Sequence, residues 1–215
     1  MDKKEIKALL NNTNNPIILE VGANNGSDTC EFINEFKDLE IYCFEPDDRA
    51  YDIFVSHIKY DKCKIFKIAL SDVDGETDFY ISTSNQRNPG TPREVGNNWD
   101  KSGSIKKPTG HLTAHPWCKF DETKKIKTLT LDTWMLTQNI DHIDFIWADV
   151  QGAEGNLIKG GIQTLNNKTK YFYTEFSNVE MYEDDASLEK IMDLLPNFEL
   201  IKVFDYDVLL RNKNV

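Results

Sequence analysis

The chain has 215 residues, about 45% of them apolar once glycine is counted, the share found in folded globular domains. A chain this long buries roughly 70% of its unfolded surface, which excludes a disulfide-stapled mini-protein and a disordered tail. Lys+Arg 25 against Asp+Glu 36 gives a net charge of −11, a poor match for nucleic acid, whose recognition needs basic patches, and for an anionic membrane surface.

No apolar run approaches the roughly 20 residues of a membrane span. The opening Met1-Asp2-Lys3-Lys4-Glu5-Ile6 lacks a signal core, so no secretion is expected. Cys30, Cys43, Cys63 and Cys118 show no CxxC spacing and no tight pairing with histidine. Reduced cysteines, no metal site and a cytoplasmic location (a host's cytoplasm, if the gene is viral) are expected.

Residues 3–10 place Ile6, Leu9 and Leu10 on one helical face, and Asn11 to Pro16 break the pattern. Pro16–Val21 is a compact apolar run, read as a buried strand. A glycine-bearing turn at 22–26 leads into a helix over 28–36, capped by Ser27 or Asp28, with Phe32, Ile33 and Phe36 inward. Ile41–Phe44 is a second strand and 47–58 a second helix. Lys64–Ala69 is a third strand. The alternation returns with a strand at Ile143–Ala148, a helix at 153–165, a strand at Tyr171–Glu175 and a helix at 186–195. Phe198–Phe204 and Val208–Arg211 flank Asp205-Tyr206-Asp207 as an antiparallel hairpin. Alternating strand and helix predicts one α/β domain over 1–215 with a doubly wound, mostly parallel sheet.

Between 82 and 124 the periodicity fades into Ser, Asn, Gly and Pro, with Trp99, His111, His115 and Trp117 embedded. Irregular connections this long are uncommon in compact domains and are usually functional or disordered. The embedded tryptophans favour a packed lid that binds the acceptor. The alternative is a surface excursion that its aromatics pin down.

Ligands of open α/β sheets bind beyond the carboxyl ends of the strands. The first strand ends in Glu20-Val21-Gly22-Ala23-Asn24-Asn25-Gly26, where glycine permits close backbone approach and a helix N-terminus follows. The spacing is not the G-x-G-x-x-G of dinucleotide sites. The second ends in Glu45-Pro46-Asp47, an acid 25 residues after Glu20 and suited to both hydroxyls of a ribose. The third ends in Ala69-Leu70-Ser71-Asp72, where Ser71 or Asp72 can meet an adenine edge. Asp149, with Val150-Gln151-Gly152 after it, and Glu175 close the next two strands. Acids on adjacent strand tips suit proton transfer or orientation of an acceptor hydroxyl.

These motifs, with Thr128-Leu129-Thr130-Leu131-Asp132 and with Glu154, Leu157, Lys159 and Gly160 after Asp149, occur in the order of the FkbM family. The chain resembles that family over roughly 17–176, outside the 82–124 stretch. The resemblance implies a class I methyltransferase (Rossmann-like) fold with a seven-stranded sheet and a C-terminal antiparallel hairpin. It implies S-adenosylmethionine as cofactor. Glu20, Gly22, Asn24 and Gly26 would surround its methionine part and Glu45 its ribose, and Ala23, Asn25 and Pro46 belong to the same cofactor site. Ala69, Ser71, Asp149 and Gln151 would complete the cofactor site. Many members carry Glu where this chain has Gln151, and often Lys where it has Trp147. Gln151 keeps the hydrogen-bonding shape but is not expected to act as a base.

The expected activity is methyl transfer to a hydroxyl of a sugar, glycan or nucleotide-sugar acceptor. Asp149, Glu175 or a histidine (His115 ahead of His111, because Pro116-Trp117 adjoins it) would take the hydroxyl proton. A NAD-dependent sugar oxidoreductase is the rival reading, against which the missing G-x-G-x-x-G and Tyr-x-x-x-Lys speak. A non-catalytic partner-binding domain on the same fold is a third.

Overall fold

The computed structural model describes residues 1–11, 13–84 and 99–215. Helix α1 (Lys3–Leu9) opens with a reciprocal cap. The Asp2 carboxylate accepts the Glu5 N–H, and the Glu5 side chain accepts the Asp2 N–H, which satisfies donors that a helix start otherwise leaves open. Then follow β1 (Ile17–Val21), α2 (Ser27–Glu35), β2 (Glu40–Phe44), α3 (Asp48–His57) and β3 (Cys63–Phe66). The next elements are β4 (Ala69–Leu70), β5 (Gly75–Ser84), the single-turn α4 (His111–Ala114), β6 (Cys118–Leu129) and α5 (Leu131–Thr137). The chain ends with β7 (Ile143–Ala148), α6 (Glu154–Gly160), α7 (Ile162–Lys168), β8 (Thr169–Glu175), α8 (Leu188–Leu194), β9 (Phe198–Val203) and β10 (Asp207–Asn212).

Seven strands form the main sheet in the order β3-β2-β1-β7-β8-β10-β9. The first five are parallel, and β10 runs antiparallel to both of its neighbours. This is the doubly wound, mostly parallel sheet with a terminal hairpin that the alternation and the resemblance imply. The order reverses between β1 and β7, and a crevice opens at such a reversal.

Side chains alternate between the two faces of a strand. Leu19 and Val21, with Tyr42, Phe44, Ile146 and Phe172, pack on one face against Trp134, Leu157, Ile158 and Ile191. Ile18, with Ile41, Cys43, Phe145 and Tyr173, packs on the other against Ile6, Phe32 and Phe54. Both faces are covered, so the strands read as continuous apolar runs.

Four sequence expectations change. Gly26 occupies the cap position of α2 with no side-chain cap, so neither Ser27 nor Asp28 caps it. The third strand ends at Phe66, and Ala69–Leu70 pairs with Thr128–Leu129 in a second sheet, β4-β6-β5. Residues 82–124 are not irregular throughout: β5 and β6 form a long antiparallel ribbon that enters the segment at both ends. Its solvent side carries Glu76, Asp78, Lys119, Asp121, Glu122, Lys125 and Lys127, which mask a sparse inward set of Phe79, Ile126 and Thr128. The helix expected over 153–165 is two helices meeting at Gly161, which ends α6 and caps α7. Among the described residues no helix is long and apolar enough to cross a membrane.

Candidate functional site

A cleft opens over the carboxyl ends of β1, β2 and β7, floored by Val21–Asn25, Phe44–Pro46 and Asp149–Gln151. Its far wall is Asp100–Ile105 apart from Ser102, with Ile68, Ala69, Leu70 and Phe79 forming an apolar side. The turn after β1 sits tightly against the exit of β7. Gly22 has φ +88°, and a Cβ there would lie 1.8 Å from the Asp149 carbonyl oxygen. Only glycine meets both demands.

Glu45 lies almost fully buried at the β2 tip, and its two carboxyl oxygens each accept a backbone N–H. Asn24 donates to Oε2 at 2.8 Å and Asp47 to Oε1 at 2.7 Å. Burial pushes this carboxyl up to about 8. The two amides fix its plane, and a carboxylate has about four acceptor positions, so two remain for a pair of ligand hydroxyls. Asn24 itself has φ +45°, a conformation costing about 1–3 kcal/mol outside glycine. Its Nδ2 donates to the Asp100 carbonyl at 3.3 Å, while its buried Oδ1 has no partner. An orphaned acceptor at the wall of a cleft fits a ligand donor.

The opposite end of the cleft holds acids. Asp149 accepts a hydrogen bond from Gln151 Nε2 at 2.7 Å and stands beside Glu175 on the neighbouring strand tip. Burial, then the adjacent Asp149 charge, push Glu175 up to about 9. Burial also raises Asp149, whereas donation from Gln151 and Glu175 favours its ionised form. Burial thus raises both carboxyls, and the two titrate as a pair.

Of the expected cofactor residues, Gly22, Ala23, Asn24, Asn25, Glu45, Pro46, Ala69, Asp149 and Gln151 line the cleft. Glu20, Gly26 and Ser71 do not. Glu20 shares the strand face of Ile18, so its carboxyl lies under α2, accepts the Thr29 hydroxyl at 2.5 Å and is pushed up to about 8 by burial. The Ser71 hydroxyl donates to Asp72, whose other donor is Asn156 of α6. Glu175 reaches the cleft through Asp149.

His115 lies outside the lining, packed between His111 and Trp117 with ring centroids at 4.8 and 5.8 Å. Burial and the His115 ring hold His111 down to about 4, so it is neutral. Residues 85–98 of the expected lid lie outside the described residues. Sequence reasoning missed Asp28, Asp100 and Ser104 of the wall, together with Tyr182. The Tyr182 hydroxyl donates toward the Ser102 carbonyl at 2.9 Å and Gln151 Oε1 at 3.2 Å. No local motif marks Tyr182, which reaches the site only through the fold.

A model of the methyltransferase FkbM domain matches residues 20–206. The chain is 41% identical over 202 residues to the 2-O-methyltransferase NoeI of Sinorhizobium fredii, covering 92% of this chain and 79% of that protein. Its fold is similar to the crystal structure of methyltransferase FkbM from Methylobacillus flagellatus, with TM-score 0.52, 13% identity, and coverage of 92% of this chain and 43% of that one. A Klebsiella pneumoniae protein described as a candidate O-methyltransferase gives TM-score 0.54 at 9% identity, over 98% of this chain and 79% of that one.

Proposed function

The chain belongs to the FkbM methyltransferase family, and from that premise we propose that it transfers a methyl group from S-adenosylmethionine to a hydroxyl of a sugar, glycan or nucleotide-sugar acceptor. A methyltransferase family and fold imply that donor, and they displace both the oxidoreductase and the non-catalytic readings. The residues of the cleft fit it. The free acceptor positions of Glu45 suit the two ribose hydroxyls. The unpartnered Asn24 Oδ1, within the turn at the start of α2, suits the donor's ammonium. Ile68, Ala69 and Leu70 offer an apolar surface to a base. When bound, the sulfonium supplies an already activated methyl group.

The remaining chemistry belongs to this chain. It must align an acceptor oxygen with the S–CH3 bond, which accounts for about 7–11 kcal/mol of barrier lowering when alignment is good. It must also take the hydroxyl proton as the oxygen attacks. Asp149 is the base in this proposal. It stands in the cleft, with Gln151 holding one oxygen and the carboxyl of Glu175 beside it on the neighbouring strand tip. That pair is the observation that carries the reading. His111 is enclosed, and a value lowered to about 4 makes it a weak base, while His115 stands outside the lining. The 41% identity to a 2-O-methyltransferase supports oxygen as the acceptor atom and a 2-hydroxyl as the first position to try. The wall formed by Asp100–Ile105 is the proposed acceptor-binding lid.

The test is a screen of free sugars, oligosaccharides and nucleotide sugars with methyl-labelled donor, with the product linkage read by NMR. An O-methyl sugar, lost in Asp149→Asn, supports the proposal. Labelling of only nitrogen, sulfur or carbon acceptors would overturn it.

A further inference from the structure

We infer that Tyr182 is a positioning residue for methyl transfer: through Gln151 it fixes the carboxylate of Asp149, and it ties that carboxylate to the wall of the cleft. The inference rests on the reading of Asp149 as the base. Gln151 has φ +54°, a left-handed backbone that a side chain this size rarely adopts, and Gly152 follows at φ +88°. Strain of this kind persists where neighbours over-determine it, and here they do. The Ser104 hydroxyl donates to the Gln151 carbonyl at 2.7 Å, and Ser104 is itself bridged to Tyr80 of β5. The Gln151 amide then has two ends with opposite requirements. Its NH2 meets Asp149 Oδ1 at 2.7 Å, so its oxygen must find a donor elsewhere. That donor is the Tyr182 hydroxyl at 3.2 Å, whose single proton is shared with the Ser102 carbonyl. With the amide turned over, its oxygen would face a carboxylate oxygen and its NH2 the phenol.

Tyr182 is well placed to hold this choice. It is 4% exposed. Its ring fills the space above Gly152, where a Cβ would come within 2.7 Å. The turn that carries it is fixed by Asp185, whose carboxylate accepts the N–H groups of Met181 and Tyr182. The same hydroxyl lies 2.9 Å from the Ser102 carbonyl. One phenol therefore joins the 100–105 wall to the loop of Gln151, and a shift of that wall on acceptor binding is felt at Asp149. The other charged and titratable groups facing Asp149 are Asp28 from α2, Glu154 from α6, Glu175 from β8 and Asp207 from β10. All are acids, and among them the Gln151 amide, which does not titrate, donates to Asp149.

The test compares wild type, Tyr182→Phe, Gln151→Met and the double variant. The first keeps the ring over Gly152 and removes only the hydroxyl; the second keeps side-chain length and removes the amide. Two readouts are taken on the full chain: titration of the Asp149–Glu175 pair by carboxyl 13C NMR, assigned with Asp149→Asn, and kcat against pH. Loss of a hydrogen bond to the charged form raises a carboxyl's pKa. The lower titration step is expected to rise by about one pH unit in Tyr182→Phe. The acidic limb of kcat should move with it, and kcat at neutral pH should fall about tenfold. Donor affinity and acceptor KM should stay within about twofold. The double variant should equal Gln151→Met, because residues acting through one another are not additive. A titration unmoved in Tyr182→Phe, or additive effects in the double variant, would overturn the inference. If wild type methylates no acceptor, the functional reading fails, while the NMR titration still decides whether Tyr182 positions Asp149.

Discussion

Replacing Glu45 by alanine separates a ribose site from a merely structural acid. Both carboxyl oxygens are already fixed by the N–H groups of Asn24 and Asp47, so two acceptor positions face the cleft. Hydrogen bonds to a charged group contribute about 1.5–3 kcal/mol each. Against this stands ionisation, because burial pushes the free carboxyl up to about 8. Charging it at pH 7 costs about 1.4 kcal/mol, one pKa unit. With values from the lower half of the bond range, about 1.5–3 kcal/mol remains, and Glu45→Ala should weaken donor binding about 10–100-fold. The same reasoning gives a pH signature. Binding favours the ionised form, so wild-type affinity should rise with pH and level off above about 8, whereas the variant should lack this component. Calorimetric titration between pH 6 and 9, with folding checked by circular dichroism, measures both. Unchanged affinity in Glu45→Ala, or an identical pH slope, would refute the ribose assignment.

Asp149→Asn should lower turnover about 10²–10⁴-fold, the usual contribution of a positioned base, with donor affinity changed by less than about threefold; full turnover would remove it from the mechanism. Glu20→Gln should leave a folded protein that is more stable near neutral pH. The raised carboxyl of Glu20 contributes stability that is complete below the unfolded value of about 4.5 and is lost as pH rises to about 8, on the order of 3 kcal/mol by pH 7. Melting curves at pH 5 and pH 8 should converge in the variant relative to wild type. Gly22→Ala should destabilise by about 3 kcal/mol or more, because it combines positive φ with a Cβ 1.8 Å from a backbone oxygen; denaturant unfolding within 1 kcal/mol of wild type would contradict the packing described at β1 and β7.

Much of this site was legible because its parts lie where strand pattern meets helix pattern. Glu45 and Asp149 each follow an apolar run, and in a parallel sheet that position faces the crevice. The direction of Glu20 was not legible in the same way. It sits one residue inside the strand, and the period of two sends its side chain beneath α2 with Ile18. The β5–β6 ribbon hid behind its charged solvent face, where few apolar residues mark the alternation. Gly161 divides a continuous helical pattern into two helices by ending one and capping the other. Tyr182 lies 31 positions from Gln151 in sequence, so only the packing of α6, the 100–105 wall and the turn at Asp185 brings them together.

The most direct measurement is parallel calorimetric titration of the purified chain with S-adenosylmethionine, S-adenosylhomocysteine and NAD. Micromolar binding of the first two, with none of NAD, is the predicted result. Binding of NAD, or no binding of any of the three by a folded sample, would contradict methyl transfer as the function of this cleft.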